Sequence, residues 1–184
     1  EISRCFMSDA MRIFLVGPMG AGKTTIGRYL ASALQLPFID TDHEIEQRSG
    51  ADIPWIFDVE GEQGFRDREH KVLYDVCQSS PAVIATGGGI VVREENRQLL
   101  NQSGISVFLQ TSLSQQLRRT GNDRSRPLLN EGDPAQTLKN LMIIREPLYR
   151  EVADIIIATE NNKPRLTAQS IVKSLESSHG LSMD

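Results

Sequence analysis

Cysteine is scarce, with two residues in 184, Cys5 and Cys77, far apart and not in a C-x-x-C pair. That excludes a disulfide-stapled scaffold and a thiolate metal site, and His43, His70 and His179 have no ligand-like spacing either. Cys77 falls in a helical apolar run with Val72, Leu73 and Val76, which reads as a buried free thiol suited to a reducing, cytoplasmic setting. No apolar run approaches the roughly 18 residues of a membrane span. Residues 1–10 lack the continuous apolar segment of a signal peptide and are expected to be a disordered extension. No block of basic charge exists: 20 Lys and Arg stand scattered against 24 Asp and Glu, net −4. This argues against nucleic acid and anionic membrane as partners. A chain of 184 residues is expected to be one domain with a full core of its own.

What is present is Gly17-Pro18-Met19-Gly20-Ala21-Gly22-Lys23-Thr24, which fits the phosphate-loop pattern G-x-x-x-x-G-K-[ST] at every fixed position. Arg12 to Val16 before it is a short apolar β-type run. Ile26, Leu30, Ala33 and Leu34 after it have the spacing of a helix face. In that context the glycines let successive backbone N–H groups surround phosphate oxygens, and the helix start adds orphan donors and positive dipole character. Lys23 brings a full charge toward the β- and γ-phosphates, and Thr24 a hydroxyl for the Mg²⁺ that bridges them. The loop predicts a bound nucleoside triphosphate.

Helix and strand patterns then alternate. Strands are expected at Leu36–Ile39, Ala82–Thr86, Ile105–Leu109 and Asp154–Ala158, with helices from about Glu44, Pro54–Val59, Glu62–Gln78, Arg93–Gln102, Ser112–Arg119, up to Arg150, and Pro164–Leu175. Thr41 or Asp42 is the expected cap of the helix from Glu44. Five apolar strands separated by helices imply a parallel sheet covered on both faces, a three-layer α/β/α sandwich. The polar and glycine clusters after residues 16, 39 and 86 should meet at the carboxyl ends of the strands. Residues 120–133 are polar and too long for an ordinary connection, which marks a functional or disordered loop.

Phosphate loops serve switches, motors, transporters and kinases. The chain has no N-K-x-D run, which a guanine-specific switch would carry. Its apolar strand from residue 82 ends in Thr86-Gly87-Gly88-Gly89 rather than in the Asp-Glu of larger ATPases. The triplet is either a loose turn or a place for close ligand approach. Asp40 and Asp42 would point to one side if extended, one toward a metal shell and one toward a substrate hydroxyl, or Asp42 only caps a helix. Arg66 lies at helical spacing from Glu62 and Glu69, the pattern of a solvated ion-pair ladder. Arg124-Ser125-Arg126-Pro127 in the long loop fits a cover that closes on phosphate, and Arg145, before Pro147, is expected near a helix end that reaches the crevice.

Taken together, Gly17–Thr24, Asp40-Thr41-Asp42, Gly61 to Arg66, Thr86–Gly89, Arg126-Pro127-Leu128-Leu129 and Arg145-Glu146-Pro147-Leu148-Tyr149 resemble the bacterial type of shikimate kinase, in order and spacing, from about Met11 to the last helix. The resemblance implies transfer of the γ-phosphoryl of ATP to the 3-hydroxyl of shikimate in chorismate and aromatic amino-acid biosynthesis. It implies a fold like nucleoside monophosphate kinases, sheet order 2-3-1-4-5, with residues 11–178 as one domain, a mobile lid at about 120–133 and a frayed tail at 179–184. By motif, Gly20, Ala21, Gly22, Lys23, Thr24 and Thr25 would bind the nucleotide with Arg119 and Arg126. Thr24, and Asp40 through water, would hold Mg²⁺. Asp42 would handle the hydroxyl, Arg66 and Arg145 would grip the carboxylate, and Gly87, Gly88 and Gly89 would line the substrate. Lys23, Asp42 and Arg126 are the expected catalytic set. Part of the adenine pocket would lie near Thr159 to Pro164. The resemblance implies a cytoplasmic monomer whose partners are ATP and shikimate. Gluconate kinase, nucleoside monophosphate kinase and a non-enzymatic ATP-dependent switch are the alternatives.

Overall fold

The computed structural model describes residues 11–121, 126–130, 132–159 and 163–179. The expectations for residues 1–10, for Arg124 and Ser125, for 160–162 and for the tail after 179 lie outside them.

Five parallel strands form one sheet in the order β2-β3-β1-β4-β5. They are β1 (Ile13–Val16), β2 (Phe38–Asp40), β3 (Val83–Ala85), β4 (Ile105–Gln110) and β5 (Ile155–Ala158). The helices between and after them are α1 (Lys23–Leu34), α2 (Thr41–Ser49), α3 (Ile53–Gln78), α4 (Glu94–Ser103), α5 (Leu113–Thr120), α6 (Pro134–Val152) and α7 (Pro164–His179), with a 3-10 turn at Pro127–Leu129. Successive side chains of β1 go to opposite faces, so Ile13 and Leu15 pack with α1 and α7 residues such as Leu30 and Ile171. Phe14 and Val16 pack on the other face with Phe65, Leu73, Leu100 and Tyr149. The apolar character of the strands follows from this double cover, except at the edge, where Ile156 of β5 remains 44% exposed.

Local signals set most boundaries. Asp52, Ser112 and Asp133 cap α3, α5 and α6 by accepting from Trp55 N, Gln115 N and Ala135 N. Pieces expected at Pro54–Val59 and Glu62–Gln78 meet as one helix broken at Gly61, whose φ of 71° and ψ of 179° are non-helical. Three expectations need correction. Ala33 is exposed, and Ala31 is buried in its place. The cause is Gly27: a Cβ there would lie 2.6 Å from the Phe38 ring, so the helix approaches the sheet through its glycine and its buried face is turned toward Leu30 and Ala31. Neither Thr41 nor Asp42 caps α2; Asp40 does, accepting from Asp42 N and His43 N at 3.0 and 3.2 Å. Arg145 is not near a helix end, because α6 continues through Pro147 to Val152. Proline removes one N–H and strains one turn, and the apolar contacts of Tyr149 and Val152 beyond it carry the helix on.

Candidate active site

The glycine loop after β1, the end of β2 and the loop after β3 meet at the carboxyl edge of the sheet, as the cluster positions predict. The phosphate loop turns through Gly20 and Gly22, both at positive φ (80° and 89°). Gly22 precedes α1 with no side-chain cap, which leaves the first N–H groups of the helix open to an anion. Lys23 turns its Nζ back onto the carbonyls of Gly17 and Pro18 at 2.7 and 2.8 Å. Burial and then the charge of Arg126 lower its pKa to about 7. A bound polyphosphate reverses that by supplying negative charge. Arg119 donates to Gly20 O at 2.7 Å, which fastens α5 to the loop, while Ala21 is buried and Thr25 faces solvent.

Asp40 divides its two oxygens. One caps α2, and the other accepts from Thr24 Oγ1 at 2.7 Å. Asp42 is thereby freed from capping and sits in the first turn of α2 on the wall of a cleft. Arg66, Gly87–Gly89, Arg126 and Arg145 share that cleft, with Met19, Phe57 and Phe65 supplying its apolar surface.

The Arg66 ion pairs exist, but they are not a solvated ladder. Arg66 is 6% exposed and donates to Glu62 at 3.2 Å and to Glu69 at 2.8 Å, and Glu69 has no exposure at all. The spacing is the one a surface ladder uses; it is buried because α3 turns this face under the loop after β3. That loop explains its own composition. A Cβ on Gly87 would lie 2.7 Å from Asp42 Oδ1 and 2.9 Å from Glu69 Oε1, and one on Gly89 would overlap the Arg66 guanidinium. Gly88 rests over the phosphate loop, 3.5 Å from Met19 N, and faces Arg145 Nη1 at 3.7 Å by the same construction. Thr41 Oγ1 accepts from Gly87 N at 3.2 Å. The sequence pointed to Thr41 only as a candidate helix cap; its bond to the loop after β3 had no signal in the chain.

Burial, joined by the nearby carboxylates of Glu69 and Asp40, raises the Asp42 carboxyl to about 7, against the pull of Lys23 and Arg126. Burial also raises Glu69, although Arg66 opposes it. Three groups here are buried without a hydrogen-bond partner among the described residues: Asp42 Oδ1, Glu69 Oε1 and Arg66 Nε. Two acceptors and one cationic donor in one cleft are complementary to a molecule that carries hydroxyls and an anionic group.

Oxygen ligands and a triphosphate site together suit Mg²⁺, which takes few protein ligands and keeps several waters. Thr24 Oγ1 and Asp40 Oδ2 are such a hard-donor pair beside the loop. No cluster of three or more His, Cys, Asp or Glu fit for a metal occurs among the described residues. No described helix is long and apolar enough to cross a membrane. Cys77 is a buried free thiol, as its helical position predicts.

A family model described as shikimate kinase matches residues 19–176. A protein of Pseudomonas paraeruginosa named shikimate kinase is 54% identical over 165 residues, which span 90% of this chain and 96% of that protein. A shikimate kinase of Hahella chejuensis is 55% identical over 166 residues, 90% of this chain and 86% of its own length. Among solved structures, shikimate kinase from Acinetobacter baumannii in complex with shikimate superposes with a TM-score of 0.92 at 49% identity, covering 96% of this chain and 98% of that one. The Aquifex aeolicus shikimate kinase gives 0.79 at 38% identity over 91% and 97%.

Proposed function

Since the chain belongs to the shikimate kinase family and is an ATP-dependent kinase acting on shikimate, we propose that it passes the γ-phosphoryl group of ATP to the 3-hydroxyl of shikimate, giving ADP and shikimate 3-phosphate for chorismate and aromatic amino-acid biosynthesis. The observation that supports the assignment of roles is the set of orphaned polar atoms in one cleft beside the phosphate loop. Asp42 takes the hydroxyl as a hydrogen-bond donor and accepts its proton as the oxygen attacks phosphorus. Its raised pKa suits that task, because an ordinary aspartate near 3.8 is too weak a base for an alcohol. Arg66 and Arg145 hold the carboxylate, and Gly87, Gly88 and Gly89 let the ring approach the backbone.

Gly20 to Thr25 enclose the phosphates with Arg119 beside them, and Lys23 and Arg126 neutralise charge as it moves from the γ- to the β-phosphate oxygens. Thr24, and Asp40 through water, would hold Mg²⁺, which would supply positive charge beside the phosphate oxygens. Thr24 is exposed and already aligned on Asp40, so the ion site needs little rearrangement. The enzyme acts as a cytoplasmic monomer in this reading.

The test is ADP release by the purified protein with ATP and Mg²⁺. Release should depend on added shikimate; faster turnover of gluconate or of a nucleoside monophosphate, or hydrolysis indifferent to every hydroxy acid, overturns the reading.

A pH profile follows from Asp42. The deprotonated form is the base, so kcat/KM for shikimate at saturating Mg·ATP should fall about tenfold per pH unit below about 7. Stability runs the opposite way. Folded Asp42 binds its proton more tightly than the unfolded chain does, so its contribution is complete below pH 3.8 and lost as pH rises to about 7. A flat kcat/KM between about pH 6 and 8 would remove Asp42 from the proton path.

A further inference from the structure

Tyr149 is the largest side chain among the described residues that is wholly withdrawn from solvent, and nothing in the reaction so far uses it. It lies one helical turn beyond Arg145 on α6, on the same side of the helix. Its ring stacks on Phe108 of β4, with centroids 5.1 Å apart and 28° between planes. Phenylalanine would satisfy that packing equally well. The hydroxyl is therefore the informative atom, since burying it is unfavourable unless it is paired.

It is paired, and it stands beside Arg145. Tyr149 Oη donates to Gly88 O at 2.5 Å, Arg145 Nη1 lies against the same glycine, and Arg145 and Tyr149 line one small cavity. Gly88 is the middle residue of the substrate-lining loop, and Arg145 is a wall of the same cleft. Burial raises the phenol's pKa to about 12, so it keeps the proton it donates to Gly88.

We propose that Tyr149 is a positioning residue for substrate recognition: its hydroxyl holds the Gly88 carbonyl, and with it the ring-lining loop, in place against the Arg145 guanidinium, so that carboxylate clamp and loop present one prepared surface to the hydroxy acid. The inference rests on the reading of Arg145 as a carboxylate ligand. An arginine has five N–H donors on a flexible stem, and a carboxylate is gripped well only when the planar fork is already aimed. The neutral, rigid phenol fixes the backbone that the guanidinium lies against and does not compete for the guanidinium, as a glutamate would. Such an effect is realised in binding and leaves the nucleotide half of the site alone.

Tyr149→Phe keeps the ring, the stacking and the burial and deletes only the hydroxyl. With the full-length enzyme, kept well below the variant's own Tm, shikimate KM should rise about tenfold, with kcat and the KM for ATP within about twofold of the parent. A purely structural role lowers Tm or the active fraction and leaves KM unmoved. The second readout is a cycle with Arg145→Ala. If Tyr149 acts through Arg145, the double variant binds shikimate no more weakly than Arg145→Ala alone, whereas independent penalties multiply. An unchanged shikimate KM in Tyr149→Phe, or multiplicative losses in the double variant, overturns the inference. Absence of any shikimate turnover by the parent enzyme is a separate result, which overturns the functional reading and this inference with it.

Discussion

Asp42→Asn should lower kcat about a thousandfold while the KM for ATP stays within about twofold, because only the attacking hydroxyl loses a partner. The amide has nearly the same shape and still accepts a hydrogen bond through its oxygen, so the substrate binds. It cannot take the proton, and it carries no negative charge to attract that proton as the oxygen attacks. Protein stability moves the other way. Asp42 is buried among like charges from Glu69 and Asp40, which is why its carboxyl is raised to about 7. A neutral side chain removes that repulsion, so the variant should melt no lower than the parent above neutral pH, and the acid limb of the rate profile should vanish with it. Steady-state kinetics and a melting curve at two pH values decide this. A kcat within about tenfold of the parent would reduce Asp42 to a group that orients the hydroxyl.

Arg66→Ala should raise the shikimate KM by about ten- to a hundredfold, the equivalent of one charge-assisted contact, and should also destabilise the protein by about 3 kcal/mol. The second effect arises because Glu69 has no exposure and would keep its charge without its guanidinium partner. Part of the penalty is relieved by proton uptake, since burial already raises that carboxyl. The two effects separate in Arg66→Ala/Glu69→Gln. A neutral amide should recover most of the lost Tm, while the shikimate KM stays high. Recovery of KM together with Tm would show that Arg66 is a structural ion pair and not a substrate ligand.

Sequence reading succeeded where a residue's task is fixed by its neighbours in the chain. The phosphate loop, the strand–helix alternation and the crevice at residues 16, 39 and 86 are of this kind, since loop, helix start and strand end are contiguous. It failed where the task depends on which way an element faces. The ladder of Glu62, Arg66 and Glu69 has one spacing whether it lies in water or under a glycine loop, and only the fold shows that Glu69 is buried. The choice among Asp40, Thr41 and Asp42 as cap was equally invisible, because all three are good caps and the turn geometry selects Asp40. Pro147 misled in the opposite direction: a helix breaker by propensity, it is carried by the burial of Tyr149 and Val152 beyond it. Tyr149 was within reach, since a tyrosine one turn from a predicted carboxylate ligand is a candidate for holding it.

β1 and β3 are adjacent, with Leu15 opposite Ala85, and Thr86 closes the join by directing both its N–H and its hydroxyl to Leu15 O at 3.1 and 2.9 Å. In the proposed reading, the turn that would bear phosphate and the turn that would bear the ring therefore leave neighbouring rails of one ladder, whose spacing of about 4.8 Å is among the least variable lengths in any protein. In-line transfer tolerates misplacement of about 1 Å before the rate collapses. On that reading the gap that phosphorus would cross is gauged by the hydrogen-bond ladder at the centre of the sheet, and loops around the rim can vary without resetting it.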